Sequence, residues 1–170
     1  MNTIVIRAEQ SRDTDQVRLV NERAFDGPAE AAIVDAVRGT PDAISLVATE
    51  GDRIVGHILF TPVRIDGSTA AIRAAGLAPM AVLPEYQRRG IGSQLVAAGL
   101  DACRAAGYDI VVVVGHPEYY PRFGFIPANT KGLEWEYPVP ANVFMVVELR
   151  SGTLERVRGI ARYLPEFAEH

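Results

Sequence analysis

The sequence has 170 residues, of which 48% are hydrophobic and 22% are charged, and its formal net charge is -4. This composition supplies enough apolar material for one core, so we expect a single domain over residues 1–170, with a core at 3–149 and a C-terminal tail at 151–170. The acidic balance excludes a broad basic surface for nucleic acid, and no apolar run approaches the roughly 20 residues that span a membrane.

The N-terminal half predicts a strand, two helices and a meander of strands. Because the start has no signal-peptide pattern and Cys103 is the single cysteine, we predict a cytoplasmic protein. Residues 3–9 alternate apolar and polar side chains, as a strand does, and two helices should follow on either side of the breaker DGP at 26–28. Residues 43–49, 54–65 and 71–83 are separated by turn residues and predict three antiparallel strands.

The hydrophobic period changes at Gly92, where apolar residues begin to recur at steps of three and four and predict a helix that ends near Gly107. The run DIVVVVG at 109–115 is typical of a strand buried on both faces, so strand, helix and strand indicate a parallel crossover. Residues 131–140 predict an irregular loop and 142–149 a last strand, and we expect the tail to pack back on the sheet. The pattern favours an α/β fold with a mixed sheet.

The segment QRRGIG at residues 87–92 suits a phosphate group. Gly90 and Gly92 remove side chains that would keep a ligand off the backbone, and the helix start directs N–H groups and a positive dipole end to the same place. Arg88 and Arg89 add positive charge, and Ser93 can donate another hydrogen bond. The segment therefore predicts a local anion site in an acidic protein.

Three other interpretations of this segment differ in how well the sequence fits them. One is an ordinary glycine-bearing helix start with two solvated arginines, which the segment alone does not exclude. A phosphate-binding NTPase loop is excluded because the sequence contains no Lys-Ser or Lys-Thr pair. A dinucleotide fingerprint is disfavoured because Leu95 stands where its third glycine is needed.

Two segments together resemble the GCN5-related N-acetyltransferase (GNAT) family. QRRGIG matches the family's Gln/Arg-x-x-Gly-x-Gly/Ala signature and follows MAVLPEY, as that signature follows the family's central strand. Downstream, YYPRFGF at 119–125 is similar to the family's aromatic-Tyr-x-x-x-Gly-Phe segment, and the pair resembles a bacterial subgroup of predicted acetyltransferases. The resemblance implies a mostly antiparallel sheet with a parallel pair of splayed strands, flanked by helices.

The resemblance also implies where acetyl-CoA, the acyl donor, would bind. The pantetheine arm would pair with the backbone of the strand at 77–83, and the pyrophosphate would rest on the N–H groups of residues 88–93. The residues thereby assigned to the coenzyme are Met80, Ala81, Val82, Gln87, Arg88, Arg89, Gly90, Ile91, Gly92, Ser93 and Tyr120.

The reaction that the resemblance implies is direct attack of a primary amine on the thioester, without a covalent enzyme intermediate. Tyr120 stands four residues before Gly124, where the family often has a tyrosine that protonates the departing thiolate, and a phenol with a reference pKa of about 10 can do this. Glu85 is a candidate to accept the proton of the amine. Direct attack needs no cysteine nucleophile, so we interpret Cys103 as a small hydrophobic residue on the apolar face of the helix.

The acceptor is expected to be a small-molecule or peptide amine, with Phe25, His116 and Trp135 as candidate substrate contacts. His116 lies near the place where the family often has an asparagine that contacts the coenzyme, and this sequence has none there. Glu134 and Glu136 flank Trp135 and could attract a cation that the ring covers.

No metal is expected, because no His, Cys and carboxylate cluster has ligand spacing. The alternative function is a non-catalytic acyl-CoA-binding or regulatory module of the same fold. The sequence leaves the oligomeric state undecided between a monomer and a homodimer, since the last strand and the tail could pair with a second subunit.

Overall fold

The computed structural model describes residues 3–169, which contain three α-helices, nine strands and several short 3-10 turns. The helices are α1 Thr14–Ala24, α2 Ala29–Val37 and α3 Ile91–Ala105. The strands are β1 Ile4–Ala8, β2 Ile44–Glu50, β3 Arg53–Asp66, β4 Ala74–Val82, β5 Ile110–Val114, β6 Ile126–Pro127, β7 Leu133–Trp135, β8 Phe144–Glu148 and β9 Gly159–Arg162. Strand pairing is mostly antiparallel with parallel pairs, so the predicted α/β class with a mixed sheet is confirmed.

The described chain forms two compact units. The first contains the described residues up to Phe60, Ala78–Gly99 and the segment from Glu166, and the second contains Thr61–Leu77 and Leu100–Pro165. The boundaries between the units, at residues 60/61, 77/78 and 99/100, fall inside β3, β4 and α3 respectively. The expectation of a single domain over the whole chain stays a prediction.

In the first unit β1 pairs antiparallel with β2, and β2 pairs antiparallel with β3. The second of these pairs joins the first two strands of the meander predicted over residues 43–49, 54–65 and 71–83. Helices α1 and α2 bury the apolar side chains that the sequence places at helical spacing, among them Val17 and Val34. Helix α3 packs closely against β3 at Gly56. A Cβ at Gly56 would lie 3.1 Å from Leu95 Cδ1 and 3.3 Å from Ile91 Cγ2. This approach fixes where the helix begins and therefore positions the preceding loop.

A buried histidine links three elements of the first unit. His57 is fully buried in β3, and its Nε2 lies 2.8 Å from Ser45 Oγ while its Nδ1 lies 3.2 Å from Asn21 Nδ2. Ser45 donates in turn to Glu9 Oε1 at 2.6 Å. These partners fit a neutral imidazole that donates through Nε2 and accepts through Nδ1. Burial lowers the pKa of His57 to about 4 from its ordinary 6.5.

Acid should destabilise the protein through His57. Because the folded-state pKa is the lower one, the stability from neutral His57 is complete above about pH 6.5 and is lost as the pH falls through about 4. The loss corresponds to about 3 kcal/mol, at roughly 1.4 kcal/mol per pKa unit. Urea unfolding of the wild type and His57→Gln, followed from pH 7 to 4, measures it. The variant should show a shallower decline, and parallel curves would refute the assignment.

The second unit is organised around β5. Residues Ala74–Gly76 of β4 pair in parallel with Ile110–Val112, as the predicted crossover requires, and β5 pairs antiparallel with β8 along its whole length. Strand β8 also pairs with the short β6. All five residues of β5 are β-branched, and four of them are buried. The expectation of a strand buried on both faces is met by these contacts.

The structure corrects the sequence-based view of residues 131–140, which are not all irregular. Leu133–Trp135 forms β7, which pairs in parallel with β9 of the C-terminal tail. Strand β9 also pairs antiparallel with the end of β3. A three-residue strand whose partner lies about 26 positions later leaves little periodic signal in the sequence.

Candidate functional site

The loop between β4 and α3 lies in the first unit and has a rigid base. Leu83 is buried, and its N–H donates to the Val55 carbonyl at 2.9 Å. A single 3-10 turn, Pro84–Tyr86, follows, and the buried Tyr86 donates its hydroxyl to Glu50 Oε1 at 2.7 Å. These contacts hold the start of the loop on the meander.

The backbone of the loop then turns through two left-handed residues. Gln87 donates from its side chain to the Val82 carbonyl at 3.0 Å, and Arg88 and Gly90 have φ values of +65° and +80°. Gly90 suits this conformation because it has no Cβ. A Cβ added there would meet nothing within 4 Å, so the space beside the backbone is open. The loop therefore presents accessible main chain to a ligand.

Helix α3 begins at this open backbone. The N–H of Gln94 donates to the Gly90 carbonyl at 3.1 Å. The N–H groups of residues 91–93 come before it in the first turn, where an α-helix directs its backbone N–H groups outward. The first turn contains no acidic residue. Arg89 lies with its guanidinium 5.0 Å from the centre of the Tyr86 ring, next to the helix start. Dipole, amides and arginine side chains together favour an anion here.

The remaining coenzyme residues predicted in this unit are on β4 and the start of α3. Ala81 is buried, and Met80 and Val82 are half-buried at the end of the strand. Ile91 is buried against β3, so its contribution to a ligand is its backbone. Gly92 and Ser93 follow it in the first helical turn and are half-buried.

Two further predicted residues belong to the first unit. Glu85 is exposed and contacts Arg23 at 3.0 Å and Arg53 at 3.9 Å. A hydrogen bond from its own backbone and the Arg23 guanidinium lower the pKa of Glu85, which makes it a weaker proton acceptor. A catalytic role for Glu85 therefore stays a prediction without support from its contacts. Phe25 follows α1 and is exposed.

Tyr120 belongs to the second unit, where it begins the turn Tyr120–Phe123. Its side chain is buried among aromatic rings, with centroids 5.1 Å from Tyr119 and 5.6 Å from Phe125. The ring also lies over Gly115, where an added Cβ would come within 2.4 Å of Tyr120 Cε2. Burial, with a smaller contribution from Tyr119, raises the pKa of Tyr120 to about 12. The phenol is therefore protonated at neutral pH.

Substituting Gly115 tests whether the position of Tyr120 matters. The Gly115→Ala methyl group would displace the ring, and we expect turnover to fall about 10- to 100-fold, since misplacement of a catalytic group by about 1 Å has effects of this size. Steady-state kinetics of Gly115→Ala, Tyr120→Phe and the double variant measure this. The double variant should be no slower than Tyr120→Phe, whereas multiplying effects would mean that Gly115 acts independently of Tyr120.

The other predicted substrate residues also lie in the second unit. His116 is exposed, and its carbonyl accepts from the N–H groups of Tyr119 and Tyr120 at 3.1 and 3.3 Å. It thus stands in the same segment as Tyr120. Trp135 is half-buried on β7, and its ring packs against Tyr163 with a centroid distance of 4.7 Å.

Tyr163 is a residue that the sequence analysis missed. Its hydroxyl lies 3.3 Å from the Leu77 carbonyl and 3.1 Å from the Val112 carbonyl, beside the last pair of the β4–β5 register, Gly76 with Val112. A Cβ at Gly76 would come within 2.5 Å of Tyr163 Cζ. Burial, with a contribution from Tyr120, raises the pKa of Tyr163 far above its ordinary value, so it acts as a neutral donor. The signal available in the sequence was Gly76, a glycine within a strand, which indicates close approach of another group.

The part of the chain that the structure describes contains neither a metal-binding cluster nor a membrane-spanning helix. Among residues 3–169, no group of three or more His, Cys, Asp or Glu side chains is arranged to hold a metal ion. Over the same residues, no helix combines the length and the apolar character that crossing a membrane requires.

Comparison with known proteins identifies similar chains along most of the sequence. A family model described as an acetyltransferase (GNAT) domain matches residues 5–128. The Escherichia coli K12 protein YjhQ, an uncharacterized N-acetyltransferase, is 40% identical over 132 residues, which cover 75% of this chain and 73% of YjhQ.

Two solved structures of similar proteins contain the coenzyme. The GNAT family N-acetyltransferase YhbS from Escherichia coli, in complex with CoA, is 32% identical, with a TM-score of 0.92 over 99% of this chain and 93% of YhbS. A GNAT family acetyltransferase from Brucella melitensis, in complex with acetyl-CoA, is 33% identical, with a TM-score of 0.78 over 98% of this chain and 99% of that protein.

Proposed function

Because the chain belongs to the GNAT acetyltransferase family, we propose that it transfers the acetyl group of acetyl-CoA to a primary amine of a small molecule or peptide. The observation that carries the proposal is the accessible backbone at Gly90, which has a positive φ and open space beside it just before α3. Arginines lie beside this backbone, and the first helical turn contains no acidic residue. Two similar proteins have been solved with CoA and acetyl-CoA, which supports the same donor here.

In this proposal the coenzyme pyrophosphate binds the backbone N–H groups of residues 88–93. Arg88 and Arg89 meet its phosphates, and Gln87, tied to the Val82 carbonyl, shapes the opening of the loop. The pantetheine arm pairs with backbone groups of Met80–Val82. The Val82 carbonyl already accepts one bond from Gln87 and has a second lone pair for a ligand.

The proposed reaction proceeds by direct attack. The amine nitrogen bonds to the thioester carbonyl carbon, the carbon–sulfur bond breaks, and the coenzyme leaves as a thiolate that takes a proton from Tyr120. The nitrogen releases its own proton to water, and Tyr120 is reprotonated from solvent. Burial keeps Tyr120 protonated, and the same desolvation raises the pKa of a thiolate beside it, which favours the transfer.

An enzyme-bound acyl intermediate has no support from the single cysteine. Cys103 is buried in α3, and burial raises the pKa of its thiol to about 12. The thiolate, which is the nucleophilic form, is therefore scarce at neutral pH.

The proposal is tested by a screen of amine acceptors. Polyamines, aminoglycosides, amino acids and peptide N-termini are each incubated with acetyl-CoA, thiol release is recorded, and products are identified by mass spectrometry. At least one amine should accelerate thiol release in proportion to enzyme and gain one acetyl group. Absence of acetylated product across the classes, at saturating acetyl-CoA, would contradict a catalytic function.

A further inference from the structure

A cavity of about 490 Å³ lies within the second unit, between β7, the segment that follows it and β8. Its volume falls within the range of about 300–1,000 Å³ that is usual for small-molecule sites. The side chains that give it its chemical character are aromatic or acidic, namely Glu134, Trp135, Glu136, Tyr137 and Phe144.

The cavity carries negative charge without an internal counterion. Its lining contains two glutamates and no lysine, arginine or histidine. Within residues 3–169, neither Glu134 nor Glu136 forms an ion pair. Glu136 is oriented by the N–H of Tyr163, which donates to its Oε2 at 2.8 Å, while Glu134 is exposed. A ligand that neutralises these carboxylates would be positively charged.

The aromatic rings add a second attraction for a cation. Trp135 lies 5.9 Å from Tyr137 and 5.6 Å from Phe144 between ring centroids, and its edge-to-face contact with Tyr163 restricts the orientation of the indole. The faces of such rings are electron-rich and attract ammonium groups. Rings and carboxylates around one cavity are therefore complementary to an organic cation.

The cavity adjoins the C-terminal end of β5, and the Tyr120 ring lies close to the same end of this strand. Phe144, which lines the cavity, is paired with Val114, the last residue of β5. The next residue, Gly115, donates to the Val143 carbonyl at 2.9 Å and carries the Tyr120 ring above it. Within this unit, the proposed acid and the cavity thus share one end of one strand.

We propose that this cavity binds the acceptor through a positive group other than the amine that is acetylated. Carboxylates and aromatic faces stabilise the charged form of a bound amine, whereas the attacking amine must be neutral. The group held in the cavity therefore keeps its charge, and the acceptor is a small amine with a second cationic centre, such as a diamine or polyamine. This inference rests on the proposed acetyltransferase function.

Direct binding to the cavity can be measured without catalysis. Trp135 is the only tryptophan of the sequence, so intrinsic tryptophan fluorescence reports on this site. The probe is tetramethylammonium chloride, which cannot be acetylated, with potassium chloride at equal concentrations as the ionic-strength control. We expect a saturable change in the wild type and about three- to tenfold weaker binding in Glu134→Gln.

The matched control is Glu155→Gln, which removes the same charge from an exposed glutamate outside the cavity. It should bind the probe as the wild type does. The inference is overturned if the wild type shows no saturable response beyond that to potassium chloride, or if the two variants have equal affinity.

Kinetics then separate this inference from the proposed function. Putrescine should have a higher kcat/KM than butylamine in the wild type, and Glu134→Gln should raise KM for putrescine without changing KM for acetyl-CoA. If butylamine is the better substrate, the inference fails while the acetyltransferase function stands. If no amine is acetylated, the proposed function fails, and the fluorescence titration still decides whether the cavity binds cations.

Discussion

Replacing Gly92 with glutamate is expected to weaken acetyl-CoA binding by about 100-fold or more. The new carboxylate would stand on the second residue of α3, in a first turn that now has no acidic residue, where we place the pyrophosphate. Two like charges about 4 Å apart repel by roughly 4 kcal/mol at an effective dielectric constant of about 20, and 1.4 kcal/mol is tenfold in affinity. Isothermal titration calorimetry with acetyl-CoA measures the change.

The control for this substitution is Gly92→Ala, which removes the glycine without adding charge. A glutamate at a helix N-terminus is favourable to the helix itself, so thermal unfolding should show both variants folded. The difference in affinity between alanine and glutamate isolates the electrostatic effect. Binding of acetyl-CoA to Gly92→Glu with wild-type affinity would place the phosphates elsewhere.

Tyr120→Phe is expected to lower kcat by about 10²- to 10⁴-fold, the usual contribution of a positioned general acid, and to leave the affinity for acetyl-CoA unchanged. Phenylalanine keeps the ring over Gly115 and against Phe125, so only the proton donor is lost. The measurements are thiol release with the best acceptor of the screen and calorimetry with acetyl-CoA.

The matched control is Tyr119→Phe, which removes the neighbouring hydroxyl and should keep kcat within about twofold of the wild type, because Tyr119 has no assigned step in the reaction. Since the pKa of Tyr120 is about 12, the wild-type rate should show no loss of the acid below about pH 10. Equal rates for Tyr120→Phe and the wild type would remove Tyr120 from the mechanism. A non-catalytic module predicts no turnover in any of the three proteins.

The sequence predicted those parts of the fold that depend on local pattern. The run DIVVVVG, set after an amphipathic helix, indicated the parallel pair of β4 and β5, and this pairing is confirmed. QRRGIG indicated a backbone left open by glycine at a helix start, and a Cβ added at Gly90 would indeed meet nothing within 4 Å. Each of these features is encoded within a few consecutive residues.

Features that depend on distant partners were not predicted. Strand β7 exists because the tail supplies β9, and Tyr163 reaches Leu77 and Val112, residues at least 51 positions away. The acidic and aromatic residues near Trp135 were recognised in the sequence as attractive to a cation. That they enclose a cavity beside the end of β5 depends on their packing against Phe144, which no local pattern records.

The most direct test of the central claim is a nuclear magnetic resonance titration of the backbone amides with acetyl-CoA. Binding of the coenzyme pyrophosphate at the start of α3 predicts that the largest amide shifts occur at residues 88–93, and that inorganic pyrophosphate alone moves the same group more weakly. Saturating acetyl-CoA that leaves these amides unchanged would contradict the account.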